Sequence, residues 1–282
     1  MLGVELRELA TRLSHAAGEL IETMRGDIDL SGDTKSSATD VVTAADKASE
    51  QLIIDGILAN RPHDGVLGEE GGDIVGSSGV RWLVDPIDGT TNYVYNLPAY
   101  CVSIAAELDG HVIAGVVFEP KARTTFDAVR GAGARRNGSP IRVNRLTDLQ
   151  LALVSTGFGY RPERRAAQGA VVTALLPDIR DIRRFGSAAL DLCAVAEGAV
   201  DAYFEKGLNP WDFAAGSLIC TEAGATVGDL RGGEHSETFL LAGNPDLFAA
   251  LRDRLVDLGA DDGRWLSGQR GLQRLRRPPD GG

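Results

Sequence analysis

Two closely spaced aspartates give the clearest chemical signal in this sequence. In the stretch at 82–98, an apolar, strand-like run ends at Asp85, and Pro86 predicts a turn before Asp88. The Gly-Thr-Thr that follows could offer backbone N–H groups to a phosphate at the start of a helical turn. Carboxylates repel phosphate, so the two features fit together when divalent metal ions lie between them. An isolated motif of this kind is explained equally well by aspartates that cap backbone amides.

Other charged residues each have a simple local explanation. Glu69, in the Gly-Glu-Glu-Gly-Gly stretch at 68–72, fits a solvated loop, and Asp212 fits the N-cap of a helix. Asp46 fits a capping box at the start of a second helix, and Lys35 fits a solvated lysine in a polar loop. None of these explanations accounts for the joint occurrence of the four residues in this order.

Regular elements have to position these residues, and hydrophobic periodicity predicts where the elements lie. The first part of the chain is predicted to hold helices over 4–24 and from Thr43 to Pro62, strands at 66–67, 81–84, 101–106 and 112–118, and one hairpin around Asn137-Gly138. Later strands are predicted at 151–156, 199–204 and 238–242, with helices at 163–176, 188–197 and 211–222 and from Asn244 onward. We expect an N-terminal α+β half with an antiparallel sheet over 1–147, a C-terminal α/β half over 148–262, and a disordered arginine-rich tail over 263–282.

Composition limits the function. The 282 residues carry 40 Asp and Glu against 29 Lys and Arg, a net charge of −11 that disfavours nucleic acid and anionic membranes as partners. The three cysteines form no C-x-x-C pair, which indicates a reducing compartment. The first residues lack both a basic leader and an unbroken apolar run, so we expect a cytoplasmic protein without a membrane span.

Taken together, the motifs resemble the inositol monophosphatase family of the magnesium-dependent, lithium-sensitive phosphatase superfamily, over nearly the whole chain. The matching stretches are Lys35-Ser36-Ser37 with Asp40, Val42 to Asp46, Gly68-Glu69-Glu70, Asp85 to Asn92, Gly186 to Ala189, Ala202 to Glu205, and Trp211-Asp212 with Ala214-Ala215-Gly216. The resemblance implies a layered αβαβα sandwich of the sugar-phosphatase type and a homodimer.

The resemblance also implies a role for each site residue. The first magnesium ion would be held by Glu69, Asp85 and the Ile87 carbonyl, the second by Asp85, Asp88 and Asp212, and a third, weaker ion by Glu69 and Asp46. The remaining implied roles are orientation of the attacking water (Thr90), closure of the site (Lys35), phosphate binding (amides of Gly89 and Thr90) and contact with the leaving alcohol (Glu205 and the Ala188 backbone).

The implied reaction is direct in-line attack of water on a small phosphorylated polyol, with inositol monophosphate expected as substrate. A histidinol-phosphate phosphatase with the same metal ligands is the main alternative. A non-enzymatic protein of the transcription machinery, docking an acidic partner through the tail over 263–282, is a second one.

Overall fold

The computed structural model describes residues 1–25 and 44–260. Within these ranges the α-helices are α1 (Leu2–Met24), α2 (Ala44–Asn60), α3 (Thr90–Val94), α4 (Pro162–Leu175), α5 (Ala188–Ala196), α6 (Pro210–Glu222) and α7 (Pro245–Asp257). The first sheet contains β1 (Gly65–Gly68), β2 (Asp73–Ile74), β3 (Val80–Asp88), β4 (Cys101–Leu108), β5 (His111–Glu119), β6 (Thr124–Val129), β7 (Ala134–Arg136) and β8 (Ser139–Pro140). The second contains β9 (Leu153–Thr156), β10 (Asp181–Arg183), β11 (Ala202–Glu205), β12 (Thr226–Gly228) and β13 (Leu240–Gly243).

The elements stack in five layers, so the αβαβα sandwich is confirmed. Helices α1 and α2 cover one face of the first sheet, α5 and α6 lie between the two sheets, and α4 and α7 cover the far face of the second sheet. Alternation along β3 shows the packing, because Trp82 and Val84 enter the core under α1 and α2 whereas Leu83 enters the central core. Eight of the nine residues of α5 are buried, as expected for a helix between two sheets.

Both sheets are mixed, so the expected antiparallel pattern of the first sheet was incomplete. Its order is β2-β1-β3-β4-β5-β6-β7-β8, and β1 pairs with β3 in parallel while the other neighbours are antiparallel. In the second sheet, of order β10-β9-β11-β13-β12, the first three strands are parallel and the last two antiparallel. The division of the chain at residue 147 stays a prediction.

Two local predictions need correction. The expected turn at Pro86 is absent, because β3 runs on to Asp88 with a register shift against β4 after Asp85. The predicted single hairpin is two hairpins. A tight turn at Asn137-Gly138, both with positive φ as a type I′ turn requires, joins β7 to β8, and residues 130–133 join β6 to β7.

None of the helices in the described ranges is long and apolar enough to cross a membrane.

Candidate active site

A cavity of about 570 Å³ opens where the two sheets meet the central helices. Nine of the residues that the sequence singles out line it: Glu69, Asp85, Ile87, Asp88, Gly89, Thr90, Ala188, Glu205 and Asp212. They come from the ends of β1, β3 and β11 and from the starts of α3, α5 and α6. Lys35 lies outside the described residues, as do the arginine-rich tail at 263–282 and the predicted helix start at Thr43.

Four carboxylates occupy one end of the cavity, which we call the acidic end (Glu69, Asp85, Asp88 and Asp212). Burial raises the pKa of Asp85 well above its usual range, and the nearby charges of Glu69, Asp88 and Asp212 raise it further. Burial likewise raises the pKa of Asp212 well above its usual range, with added repulsion from Asp88 and Glu69. The acidic end therefore favours uptake of protons or of metal cations.

Asp88 is fixed by the start of the central helix α5. Its Oδ2 accepts hydrogen bonds from the Ser187 hydroxyl and the Ala189 amide, both at 2.7 Å. These bonds favour the ionised form, although burial still raises the pKa of Asp88 on balance. Ser187 and Ala189 were not singled out as functional from the sequence, and Ser187 is recognisable there only as the N-cap of a helix, which it is.

Asp212 is the third residue of α6 and not its N-cap. One of its carboxylate oxygens accepts the backbone N–H of the N-cap residue, Asn209, at 2.7 Å. The N-cap explanation was therefore wrong about the position of Asp212 in the helix. It was correct that the Asp212 side chain accepts a free backbone N–H at the helix start. The same bond holds its carboxylate at the cavity wall.

The loop that carries Glu69 is held by a buried side chain that sequence reasoning missed. Glu50, 4% exposed, accepts the backbone N–H groups of Glu70 at 2.7 Å and Gly72 at 3.0 Å. The Gly-Glu-Glu-Gly-Gly stretch is thus an anchored turn at the end of β1 and not a freely solvated loop. Glu50 lies four residues after Asp46 on α2, a spacing that places both on one helix face and could have indicated it.

Thr90 connects the acidic end to Asp46. Its hydroxyl lies 3.2 Å from Asp46 Oδ1 and 3.0 Å from the Ile87 carbonyl oxygen, so its single proton can reach either acceptor. Asp46 is fully buried, and Ile87 turns its side chain into the core under α1 and α2. Gly89 precedes Thr90 with a φ of 95°, and a Cβ there would lie 2.9 Å from the Ala99 carbonyl oxygen, which explains the glycine.

The other end of the cavity, which we call the mixed end, is lined by Glu205, Asp191 and three arginines, Arg161, Arg164 and Arg184. Glu205 Oε2 accepts the Tyr203 hydroxyl at 2.6 Å. Burial raises the pKa of Glu205 to about 7 against the effect of that bond. Asp191 is 1% exposed, and burial raises its pKa well above the usual range. Glu205 can therefore exchange protons and hydrogen bonds with a polar ligand near neutral pH.

The donor set of the acidic end fits a hard divalent cation such as magnesium. It consists of carboxylate oxygens and one backbone carbonyl, with no histidine or cysteine among the expected ligands. Among the described residues, no three His, Cys, Asp or Glu side chains have the geometry to hold an ion by themselves. Magnesium in proteins keeps several waters and is held by few carboxylates together with substrate oxygens.

Fold and cavity together define a layered α+β protein with four carboxylates at one end of a cavity between its two sheets. The model of the inositol monophosphatase family matches residues 4–257. An inositol-1-monophosphatase of Mycobacterium bovis is 44% identical over 240 residues, which is 79% of this chain and 83% of the relative. The Nus factor SuhB of Escherichia coli K12 is 40% identical over 257 residues, covering 88% of this chain and 96% of the relative.

Solved structures give the same result. The extragenic suppressor protein SuhB of Bartonella henselae superposes with a TM-score of 0.83 at 35% identity, covering 88% of this chain and 97% of that chain. This chain belongs to the inositol monophosphatase family, which is generally metal-dependent.

Proposed function

We propose that this protein is a magnesium-dependent phosphatase that hydrolyses inositol monophosphate to inositol and phosphate. The observation that carries the proposal is the shared cavity, which is lined by the four carboxylates of the acidic end and by Glu205. Family membership and the relatives named inositol-1-monophosphatase support the same reaction.

The acidic end supplies the metal ligands in this proposal. Two ions are assigned to Glu69, Asp85, the Ile87 carbonyl, Asp88 and Asp212, and a third, weaker one to Glu69 and Asp46. When bound, magnesium lowers the pKa of the attacking water and neutralises charge on the leaving oxygen. The raised pKa values of Asp85 and Asp212 support this assignment, because a cation offsets the repulsion that raises them.

The chain's own residues orient the reactants. The Thr90 hydroxyl, between Asp46 and the Ile87 carbonyl, is placed to position a water through its lone pairs. Amides of Gly89 and Thr90, at the start of α3, are assigned to the phosphate oxygens, since the first N–H groups of a helix lack partners within it. Attack in line with the leaving oxygen then transfers the phosphoryl group to water, and the alcohol leaves with a proton.

The mixed end selects the alcohol. Glu205 is held by Tyr203, and one of its carboxylate oxygens makes that bond, which leaves the group able to accept a substrate hydroxyl. Ala188, which lines the cavity at the start of α5, is assigned a backbone contact to the same alcohol. We expect lithium to inhibit by entering the site assigned to Asp85, Asp88 and Asp212, and we expect a cytoplasmic homodimer.

A panel of phosphate esters tests the proposed function. Phosphate release from inositol monophosphate, histidinol phosphate and glycerol 2-phosphate is measured with magnesium and with EDTA. The highest kcat/KM on inositol monophosphate, lost in EDTA, is the expected result. A higher kcat/KM on histidinol phosphate would show that histidinol phosphate is the preferred substrate, and the proposed reaction would stay the same.

A role in transcription is a second candidate, favoured by the relative named Nus factor SuhB. It needs no catalysis, so a chain that releases no phosphate from the panel and binds transcription elongation proteins would support it. The Asp88→Asn variant separates the two roles, since it should remove hydrolysis and leave such binding intact.

A further inference from the structure

Guanidinium groups without a protein partner line the mixed end of the cavity. Arg164 and Arg184 line the cavity, and in the described part of the chain neither donates a hydrogen bond or forms an ion pair. Their sequence neighbours are engaged elsewhere. Arg165 donates to the Tyr160 carbonyl at 2.6 Å, and Arg183 pairs with Asp181 at 2.6 Å. Neither of these neighbours lines the cavity. The cavity arginines thus keep their N–H donors for a ligand, and Arg161, the N-cap residue of α4, is a third arginine in the lining.

The Arg164 side chain packs closely against two glycines. Its side chain, in the first turn of α4, lies so close to Gly159 and Gly207 that a Cβ on either would collide with it. The arginine is therefore confined between two backbone segments at the cavity wall. A confined guanidinium loses less conformational freedom when it binds a ligand than a free surface arginine does.

The Arg184 side chain also packs closely against a glycine. A Cβ on Gly186, which has a φ of 96°, would collide with its Nη1. Its charge lowers the pKa values of Asp88, Asp191 and Glu205, so its field reaches both ends of the cavity. The charge of Arg164 reaches Glu205 as well.

Glu205 does not cancel these two charges. It accepts the Tyr203 hydroxyl and forms no ion pair within 4.0 Å with either arginine in the described residues. Burial raises its pKa to about 7, so near neutral pH it carries only part of a negative charge. Burial raises the pKa of Asp191 well above its usual range, which favours its neutral form. With Arg161, Arg164 and Arg184 facing Glu205, Asp191 and Glu237, positive charge exceeds negative charge at the mixed end, in a protein whose net charge is −11.

We propose that Arg164 and Arg184 form a subsite for a second phosphate group, so that the enzyme takes bisphosphorylated polyols as well as monophosphates. Planar guanidinium groups match phosphate oxygens in paired, charge-assisted hydrogen bonds. The inference rests on the proposed function, because the phosphate to be hydrolysed lies at the acidic end. One water adds across the P–O bond of that phosphate, releasing inorganic phosphate and an alcohol that keeps its second phosphate.

The experiment compares two ligands that differ by one phosphate, inositol monophosphate and an inositol bisphosphate with its phosphates on opposite sides of the ring. The kcat/KM of each is measured for the wild type, Arg164→Gln and Arg184→Gln, with Arg165→Gln and Arg183→Gln as matched neighbours outside the cavity. We expect Arg164→Gln and Arg184→Gln to lower kcat/KM for the bisphosphate on the order of tenfold to a hundredfold. For the monophosphate we expect a change of less than about threefold, and for the two neighbours no selective loss.

Binding measured by calorimetry in the Asp88→Asn background separates this inference from the proposed function. If the wild type hydrolyses no ester, but in the Asp88→Asn background the bisphosphate binds more tightly than the monophosphate and Arg164→Gln removes the difference, the function fails and the subsite stands. If the protein with both arginines intact binds the two ligands equally tightly, the subsite is refuted. An equal loss on both ligands in Arg164→Gln and Arg184→Gln would also overturn it, because the arginines would then act on a group that the ligands share.

Discussion

The acidic and mixed ends of the cavity are built in different ways. At the acidic end, carboxylates accept backbone N–H groups. Asp88 accepts the amide of Ala189, Asp212 that of Asn209, and Asp85 that of Ile87 at 3.0 Å. At the mixed end the Glu205 carboxylate is held by a side chain, Tyr203, and the arginines lie unpaired.

The difference indicates a division of labour between the two ends. Backbone donors remain when side chains change, so these bonds at the acidic end depend little on the sequence. In the proposed function, cations offset the like charges of these carboxylates. Side-chain donors change with a single substitution, so the mixed end is where a family member can acquire a new alcohol specificity.

The largest expected effect comes from removing one carboxylate at the acidic end. Asp88→Asn should lower kcat by about 10³-fold, because a ligand that offsets charge on the leaving oxygen is worth several kcal/mol of barrier. The melting temperature should stay near that of the wild type, since an amide oxygen can still accept from Ser187 and Ala189.

Asp127→Asn is the matched control for that variant. Asp127 is 8% exposed in the same sheet, pairs with Arg7 at 3.3 Å and does not line the cavity. Its substitution should leave kcat unchanged. A kcat of Asp88→Asn within tenfold of the wild-type value at saturating magnesium would refute the assignment of the acidic end as the metal-binding site.

A smaller and selective effect is expected at the mixed end. Glu205→Gln should lower kcat/KM for inositol monophosphate roughly 10- to 150-fold, the value of a charge-assisted hydrogen bond of about 1.5 to 3 kcal/mol. Glycerol 2-phosphate offers fewer hydroxyls and should be affected less. Steady-state kinetics on both substrates decide the matter, and an equal loss on the two would refute a role in specificity.

Displacing Glu205 without removing it sharpens the same comparison. A Cβ on Gly157 would collide with the Glu205 carboxylate, so Gly157→Ala must move that group. We expect a fall of about tenfold in kcat/KM for inositol monophosphate and a weaker one for glycerol 2-phosphate. Gly169→Ala, where a Cβ meets only open space, is the control and should change neither. Unchanged kinetics in Gly157→Ala would show that the position of Glu205 does not matter.

The smallest expected effect is on stability against pH. Folding raises the pKa of Glu205 from 4.5 to about 7, so the folded protein holds an extra proton between these values. This contribution to stability is complete below about pH 4.5 and is lost as the pH rises through about 7. In metal-free buffer, the melting temperature of the wild type relative to Glu205→Gln should therefore fall by several degrees over this range. A difference that does not change with pH would contradict the raised pKa.

Much of the acidic end could be predicted because its residues lie in short motifs at the ends of elements. The Asp85 to Asp88 segment and the Gly-Glu-Glu-Gly-Gly stretch are recognisable in the sequence because turn residues follow apolar runs. The bulge after Asp85 could not be predicted, since Pro86 fits a turn as well as an irregular strand and only pairing with β4 decides between them.

The mixed end was harder to predict because its residues meet only through tertiary structure. Arg164 and Arg184 belong to stretches rich in arginine, and nothing local distinguishes them from Arg165 and Arg183. Edge strands such as β10 and β12 were missed for a related reason. Each has three residues and is defined by its neighbour in the sheet more than by its own pattern.

Magnesium binding at the acidic end is the central claim, and calorimetric titration of the metal-free protein tests it most directly. We predict saturable magnesium binding that is weakened at least tenfold in Asp88→Asn and unchanged in Asp127→Asn, together with phosphate release from inositol monophosphate that rises with site occupancy. Equal magnesium binding by the wild type and Asp88→Asn, or phosphate release that persists in EDTA, would contradict the account.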